Sequence, residues 1–162
     1  MTNFETLLRE LVSHNVSFVV IGGVAALFHG SARVTYDLDV VYDRSRENLD
    51  RVIAALAGLK PYLRGAPPGL PFIWDRITLE RGMNFTFVTS LGEIDLLGEM
   101  TGGGSYTDLA PHAVEVELYG NKCLCLTLNQ LIRAKRAAGR PKDFEALAEL
   151  EAIREEQTSG ES

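Results

Sequence analysis

Two aspartates at alternate positions of an apolar segment constrain the fold of this chain more than any other feature. Asp37 and Asp39 lie in the segment DLDVVY, whose other residues are all apolar or aromatic. This pattern predicts a β-strand, and residues two apart on a strand project from the same face. Two carboxylates on one face repel each other, and burying them adds a desolvation cost. A hard cation such as Mg²⁺, which prefers carboxylate oxygens, would offset both effects, so the pair predicts a metal site.

A buried strand and two glycines precede this pair. Val16–Ile21 (VSFVVI) is rich in β-branched residues, Gly22 and Gly23 follow it, and the segment VAALFHG predicts a short helix that Gly30 ends. Glycine lets a backbone approach a phosphate closely, and the first turn of the following helix would direct N–H groups toward it. Residues 19–41 therefore predict a metal-dependent nucleotide site.

A third carboxylate interrupts another apolar segment. Asp95 lies in the segment EIDLL, at a position where an apolar residue is expected. An aspartate there can also cap a turn or pair with an arginine, but beside the Asp37 and Asp39 pair we favour a metal ligand. Three strand carboxylates can hold two divalent ions, which clamp the attacking and leaving oxygens of a phosphoryl transfer. In that arrangement Asp95 also helps to deprotonate the acceptor hydroxyl.

The rest of the chain alternates helical and strand patterns. Apolar periodicity predicts helices over residues 4–12, 49–59, 128–138 and 142–155, and strands over 16–21, 37–42, 84–89, 93–97, 114–118 and 122–126. The proline-rich interval 60–72 predicts a loop or lid, and 101–107, with three consecutive glycines, a flexible loop. Residues 73–80 fit a helix or a strand. We expect one domain over 1–156 and a frayed polar tail over 157–162.

Charge and hydropathy limit the classes of partner. The net charge is −6, from 16 Lys and Arg against 22 Asp and Glu, whereas broad nucleic-acid surfaces carry a basic excess. The basic residues of segment 133–142 still leave room for docking one end of an RNA. No apolar run approaches the roughly 20 residues that span a bilayer, and the N-terminus lacks the regions of a signal peptide. We therefore expect a cytoplasmic protein that makes no membrane contact.

Four sequence pieces, taken in order, resemble the nucleotidyltransferase superfamily related to DNA polymerase beta. They are Gly22-Gly23 with Arg33-x-Thr35-x-Asp37-x-Asp39, the segment GEIDL at 92–96, LIRAK at 131–135, and RPKD at 140–143. More narrowly, they are similar to the small bacterial nucleotidyltransferases grouped with abortive-infection-type toxins. The resemblance implies an α/β (α+β) fold, a nucleotidyltransferase-like mixed β-sheet flanked by helices with a C-terminal helical pair. It also implies Mg²⁺ or Mn²⁺ as cofactor and a nucleoside triphosphate (NTP) as substrate.

The same resemblance implies roles for individual residues. Asp37, Asp39 and Asp95 would be the catalytic metal ligands. Gly22, Gly23 and Thr35 would embrace the triphosphate, and Lys135 would reach one of its phosphates, with Lys142 and Asp143 nearby. Arg33 and Lys135 are cations of the kind a triphosphate needs. Each also has a simpler interpretation: Arg33 as a surface loop residue, Lys135 as a solvated helix charge, and Lys142 and Asp143 as first-turn residues.

The leading hypothesis is a Mg²⁺-dependent nucleotidyltransferase. It would transfer a nucleoside monophosphate (NMP) from an NTP to a hydroxyl of an RNA, a protein or a small molecule, and release pyrophosphate. The alternative is a non-catalytic nucleotide-binding or interaction subunit of a toxin–antitoxin-like or two-subunit system, with an antitoxin-like partner protein. A third, weaker possibility is a phosphohydrolase that uses the same three aspartates.

Overall fold

The computed structural model describes residues 1–160, which form nine strands and seven α-helices. The strands are β1 (Phe18–Ile21), β2 (Asp37–Tyr42), β3 (Tyr62–Leu63), β4 (Asn84–Thr89), β5 (Gly92–Leu97), β6 (Glu99–Met100), β7 (Gly104–Ser105), β8 (Val114–Leu118) and β9 (Asn121–Cys125). The helices are α1 (Phe4–Ser13), α2 (Gly22–Phe28), α3 (Arg46–Leu56), α4 (Arg76–Arg81), α5 (Tyr106–Leu109), α6 (Leu128–Ala138) and α7 (Pro141–Ser159). Two short 3₁₀ helices follow α3 and α5, at Ala57–Leu59 and Ala110–His112.

Seven of the strands form one mixed sheet in the order β3-β4-β5-β2-β1-β9-β8. Strand β2 lies at its centre, antiparallel to β1 and parallel to β5. The hairpins β4–β5 and β8–β9 are antiparallel, as the sequence predicts, and β9 runs parallel to β1. Helices flank this sheet, which confirms the predicted mixed α/β fold.

Polar side chains fix the starts of three predicted helices. Asn3 caps α1 and Ser45 caps α3, each by accepting a hydrogen bond from a backbone N–H of the first turn. At α6, Thr127 and Gln130 form a reciprocal capping box. Such caps satisfy N–H groups that a helix leaves unpaired at its N-terminus. The boundaries of these helices consequently lie close to those that the sequence predicts.

The hydrophobic core forms between the central strands and the apolar faces of the helices. All four residues of β1 are buried, and β2 alternates between buried apolar residues and half-buried aspartates before its buried C-terminal half. Fully buried leucines of α1, at positions 7, 8 and 11, pack into this core. Within the part of the chain that the structure describes, no helix is long and apolar enough to span a membrane.

Two segments predicted as loops contain regular structure. The proline-rich interval 60–72 includes β3, whose Leu63 pairs with Phe87 on β4. The glycine-rich interval 101–107 includes β7, which pairs with β6, and the start of α5, where Ser105 and Asp108 form a capping box. Both predictions of an unstructured loop were therefore incomplete. Between the glycines and prolines, a few residues pair with a neighbouring strand or cap a helix.

Two further segments concern helices. Of the two alternatives left open for segment 73–80, the structure shows the helix: α4 begins at Arg76, after its cap Asp75, and ends at Arg81. Helix α7 runs through Ser159 and so extends into the segment predicted as a frayed tail; the last two residues of that tail, 161 and 162, lie outside the described residues.

Candidate active site

The three aspartates predicted as metal ligands lie together at the centre of the sheet. Each of Asp37, Asp39 and Asp95 offers one carboxylate oxygen, and these three oxygens lie within 4.8 Å of one another. All three residues are half-buried. We call them the carboxylate trio.

The register of the strands explains this convergence. Asp39 on β2 lies opposite Asp95 on its parallel neighbour β5. Asp37 precedes Asp39 by two residues and lies opposite Glu93. Paired residues on adjacent strands point to the same face, so Glu93 adds a fourth carboxylate beside the trio. The aspartates thus converge because two strands carry acidic residues in matching register.

The two glycines make room for side chains of the site. Gly22 has a φ of +63°, and a Cβ built there would collide with Asp39 Oδ2. A Cβ on Gly23 would lie 2.5 Å from Thr35 Oγ1, far inside normal contact distance. The glycine pair therefore allows Asp39 and Thr35 to approach the start of α2, a role that the sequence alone did not reveal.

The electrostatics of the trio favour an added cation. Burial, followed by the charges of Asp37 and Asp95, raises the pKa of Asp39 from 3.8 to about 8. Burial also raises the pKa of Asp95. Among residues 1–160, no hydrogen-bond partner reaches the buried Asp39 Oδ1. An unpartnered buried carboxylate oxygen among like charges fits the chemistry of an oxygen-preferring divalent ion such as Mg²⁺ or Mn²⁺.

Arg64, which the sequence did not indicate as a site residue, lies beside the trio. It lies just after β3, and its Nη2 donates a hydrogen bond to Asp95 Oδ1 at 2.7 Å. Its Nη1 lies 3.7 Å from Asp37 Oδ2, and its Nε lies 3.7 Å from Glu93 Oε1. The residue stands in an interval that reads as a loop, so the sequence held no signal for this contact. The pairing of Asp95 with an arginine, which the sequence left open, occurs beside the trio.

A cleft of about 120 Å³ adjoins the trio through the glycine pair. Its walls include five of the predicted nucleotide-binding residues, which are Gly22, Gly23, Arg33, Thr35 and Lys135. Residues of α6 and α7, among them Leu131 and Glu149, close the opposite side. The structure thus brings the glycine segment and the helical pair to one cleft, as their predicted shared role requires.

Each predicted cation of this cleft has its own position. Arg33 is half-exposed, with Nη1 3.8 Å from Glu145 Oε2, and Lys135 Nζ lies 3.3 Å from the buried Asp143 Oδ1. Lys142 is exposed, does not line the cleft, and forms no ion pair with the described residues. The structure therefore assembles Arg33 and Lys135 at the cleft but leaves Lys142 outside it.

A polar clamp, not anticipated from the sequence, holds the loop between α2 and β2 against α7. Ser31 Oγ donates a hydrogen bond to Glu149 Oε1 at 2.6 Å, and Ala32 N donates one to Glu149 Oε2 at 3.1 Å. Ser31 is buried. Because Arg33 and Thr35 follow on the same loop, this clamp fixes one wall of the cleft.

Comparison with known proteins rests on structure alone. The sequence matches no protein-family model and no curated protein. A Thermotoga maritima protein assigned as a nucleotidyltransferase shares a similar structure, with a TM-score of 0.56 and 17% identity over 88% of this chain and 86% of that protein. The lincosamide antibiotic adenylyltransferase LnuA, solved with lincomycin, gives a TM-score of 0.58 and 17% identity over 94% of this chain and 98% of LnuA.

A third similar structure is ANT(2")-Ia in complex with adenylyl-2"-tobramycin. Its TM-score is 0.55 at 13% identity, and the match covers 97% of this chain and 95% of that one. At these identities the likeness establishes the architecture. The chain therefore shares its fold with these nucleotidyltransferase structures, and its sequence motifs predict this fold.

Proposed function

We propose that this protein is a metal-dependent nucleotidyltransferase, which transfers an NMP from an NTP to a hydroxyl acceptor and releases pyrophosphate. The observation that carries this proposal is the convergence of Asp37, Asp39 and Asp95 within 4.8 Å, on a fold shared with nucleotidyltransferases. Three carboxylates at this spacing suit two-ion phosphoryl transfer, the role that the sequence predicts for them.

In this reaction the acceptor oxygen forms a bond to the α-phosphorus, and the bond from that phosphorus to the pyrophosphate oxygen breaks. When bound at the trio, Mg²⁺ or Mn²⁺ supplies Lewis-acid stabilisation of the charge on the phosphoryl oxygens. Asp37 and Asp39 are the proposed principal ligands, and Asp95 is the proposed ligand that also accepts the acceptor proton.

The nucleotide is proposed to bind in the cleft beside the glycine pair. Gly22, Gly23 and Thr35 line the part of the cleft next to the trio, and Arg33 and Lys135 supply positive charge at its walls. Both cations hold carboxylate partners in the protein without nucleotide. A triphosphate would replace the exposed Arg33–Glu145 pair with phosphate contacts, whereas Asp143 would keep Lys135 in place for its own phosphate contact. Lys142 remains a proposed contributor only if the start of α7 approaches the nucleotide.

The similar structures set the order in which acceptor classes are tested. LnuA was solved with lincomycin and ANT(2")-Ia with adenylyl-2"-tobramycin. Because these structures match almost the whole chain, small molecules with free hydroxyls are the first acceptors to test. RNA ends and protein hydroxyls are the next classes.

The test is incubation of the protein with α-³²P-labelled NTPs, Mg²⁺ and separate pools of small molecules, RNA and protein. We expect a labelled product in one pool together with equimolar pyrophosphate. The Asp37→Asn and Asp39→Asn variants should lose this product, whereas Asp50→Asn, an acidic control on α3, should retain it. Absence of transfer from every pool, or equal transfer by the two trio variants, would overturn the proposal.

The same assay separates the alternatives that the sequence left open. Free labelled NMP without an acceptor product would identify a phosphohydrolase. Mg²⁺–NTP binding by calorimetry without transfer, with activity appearing only beside a co-purified protein, would identify a subunit of a two-protein or toxin–antitoxin-like system.

A further inference from the structure

The side chain of Arg64 lies where its positive charge faces several carboxylates at once. Its guanidinium contacts Asp95 at 2.7 Å and lies 3.7 Å from both Asp37 and Glu93. With Asp39 included, four carboxylates surround this part of the sheet face. Arg64 is the cation that the described residues place among them, so the negative charge exceeds the positive charge.

The contacts of Arg64 are a compromise between these carboxylates. Nη2 donates hydrogen bonds to Asp95 Oδ1 and to the backbone oxygen of Phe87, at 2.7 and 3.1 Å. Nε is buried, yet nothing within the described range accepts a hydrogen bond from it. Arg64 thus makes one hydrogen bond to a carboxylate, that of Asp95, and lies near Asp37 and Glu93 without a hydrogen bond to either.

The backbone around Arg64 gives its side chain a route to solvent. The residue follows the two-residue edge strand β3 and precedes Gly65, which has a φ of +81°. Its side chain is 27% exposed, although its charged end reaches the trio. An arginine at a sheet edge can rotate outward without disturbing the core, since its long stem tolerates several rotamers.

We propose that Arg64 is the internal counter-cation of the carboxylate trio, which occupies the metal-free site and yields it to the divalent ion. This inference rests on the proposed function, because it assumes that the trio binds metal. Arg64 neutralises part of the trio while the site is empty of metal, and it opposes an incoming ion by charge repulsion. It therefore sets the metal affinity of the enzyme.

The test is titration of the protein with Mn²⁺ alone. Binding is measured by calorimetry and by the electron paramagnetic resonance signal of the free ion. Arg64→Gln should bind Mn²⁺ at least about tenfold more tightly than the unmodified protein, because one positive charge near the ion is gone. Arg64→Lys, which keeps the charge, should stay much closer to the unmodified protein. The thermal midpoint of metal-free Arg64→Gln should fall, and saturating Mn²⁺ should restore it.

Arg76 provides a matched control. It lies between Asp50 and Glu80, at 3.6 and 3.4 Å, is 25% exposed, and likewise has a buried Nε without a hydrogen-bond partner among residues 1–160. Arg76→Gln should alter stability without altering Mn²⁺ affinity. Equal or weaker Mn²⁺ binding by Arg64→Gln would overturn the inference.

Two further measurements separate this inference from the proposed function. If Asp39→Asn and the unmodified protein bind Mn²⁺ equally, the trio is not the metal site and the proposed function itself fails. If Arg64→Gln does not fold, ¹⁵N spectra of arginine side chains in the unmodified protein provide the answer. Added Mg²⁺ should shift the Arg64 Nε–H signal and leave that of Arg76 unchanged. An unmoved Arg64 signal would contradict the proposal that Arg64 yields the trio to the ion.

Discussion

The protein contains two clusters of opposite charge balance, and their difference distinguishes the candidate active site from a structural ion-pair cluster. In the carboxylate trio, the aspartates outnumber Arg64, the arginine that the described residues place beside them, and the pKa of Asp39 is raised to about 8. At the junction of α6 and α7, Lys135 and Arg140 surround the one buried carboxylate, Asp143. Hydrogen bonds from Arg140, and then from Lys135, lower the pKa of Asp143 to about 2.

The two clusters differ in whether their carboxylate oxygens have partners. Both oxygens of Asp143 accept hydrogen bonds from cations, so this cluster is complete and joins two helices. The trio keeps an unpartnered oxygen and an excess of negative charge, so it is complete only with a further cation. The simpler interpretation of Asp143, a first-turn residue of the last helix, holds for its position, but its burial and pairing add a structural role.

The largest expected effect follows from removing charge from the trio. Asp37→Asn combined with Asp39→Asn should lower nucleotidyl transfer by about a thousandfold or more, since ion stabilisation of phosphoryl transfer supplies several kcal/mol. The same change should raise the thermal midpoint of the metal-free protein, because it relieves repulsion between buried carboxylates. Transfer rates and scanning calorimetry on one preparation measure both. A lower midpoint together with lost transfer would contradict the view that the trio is destabilising without metal.

Replacing a glycine of the pair should disturb the trio without changing its charge. Gly22→Ala would put a methyl group against Asp39 and force an alanine to a φ of +63°, which alone costs about 1–2 kcal/mol. We expect a loss of stability of at least that size and a large loss of transfer. Gly58→Ala, where an added Cβ meets no atom within 4 Å, is the matched control. Chemical denaturation compares the two, and an equal response would contradict the packing argument.

Neutralising Asp143 should lower the stability of the protein, whereas neutralising the trio should raise it. Asp143→Asn leaves Lys135 and Arg140 without their shared carboxylate, so the thermal midpoint should fall by several degrees. Transfer should weaken less than in the trio variants, mainly through a higher KM for NTP as Lys135 loses its anchor. A midpoint that rises in Asp143→Asn, as in the trio variants, would erase the distinction between the clusters.

The two clusters should also affect the pH dependence of stability, and they should do so in separate pH ranges. Asp39 holds a proton in the folded state up to about pH 8 but releases it near 3.8 when unfolded, so the metal-free protein loses stability as pH rises between those values. Asp143 has a lowered pKa, so its contribution is present above pH 3.8 and is lost as pH falls toward 2.

Variants assign these two windows. Asp39→Asn should flatten the decline between about pH 4 and 8, and Asp143→Asn should flatten the decline at acid pH. Urea denaturation midpoints across this pH range, measured in the presence of a chelator, provide the comparison. If the stability of Asp39→Asn still falls between about pH 4 and 8, a group other than Asp39 causes that fall.

The elements that the sequence predicted best are those with strong local signals. Strand β2 was predicted with its observed bounds because alternation of aspartate and apolar residues leaves little choice of face. Helix α6 was predicted equally well because Thr127 and Gly139 mark its ends. The convergence of Asp95 with Asp37 and Asp39 was predicted from carboxylates placed on apolar strands and from the resemblance to nucleotidyltransferases, and the strand register accounts for it physically.

The contacts that the sequence did not predict depend on distant pairing. Arg64 reaches Asp95 only because a two-residue edge strand, within a proline-rich interval, pairs with β4. Glu149 reaches Ser31 only because α7 packs across the loop after α2. Neither residue belongs to a motif or a periodic pattern, so no local rule distinguishes it from other surface charges.

The clamp between Ser31 and Glu149 has a consequence for how the protein matures during synthesis. The two residues are 118 positions apart, and the aspartates of the trio are all translated before Glu149. The wall of the cleft that α7 contributes is therefore the last part of the cleft to be synthesised. A chain truncated before α7 would keep all three aspartates of the trio and lose that wall.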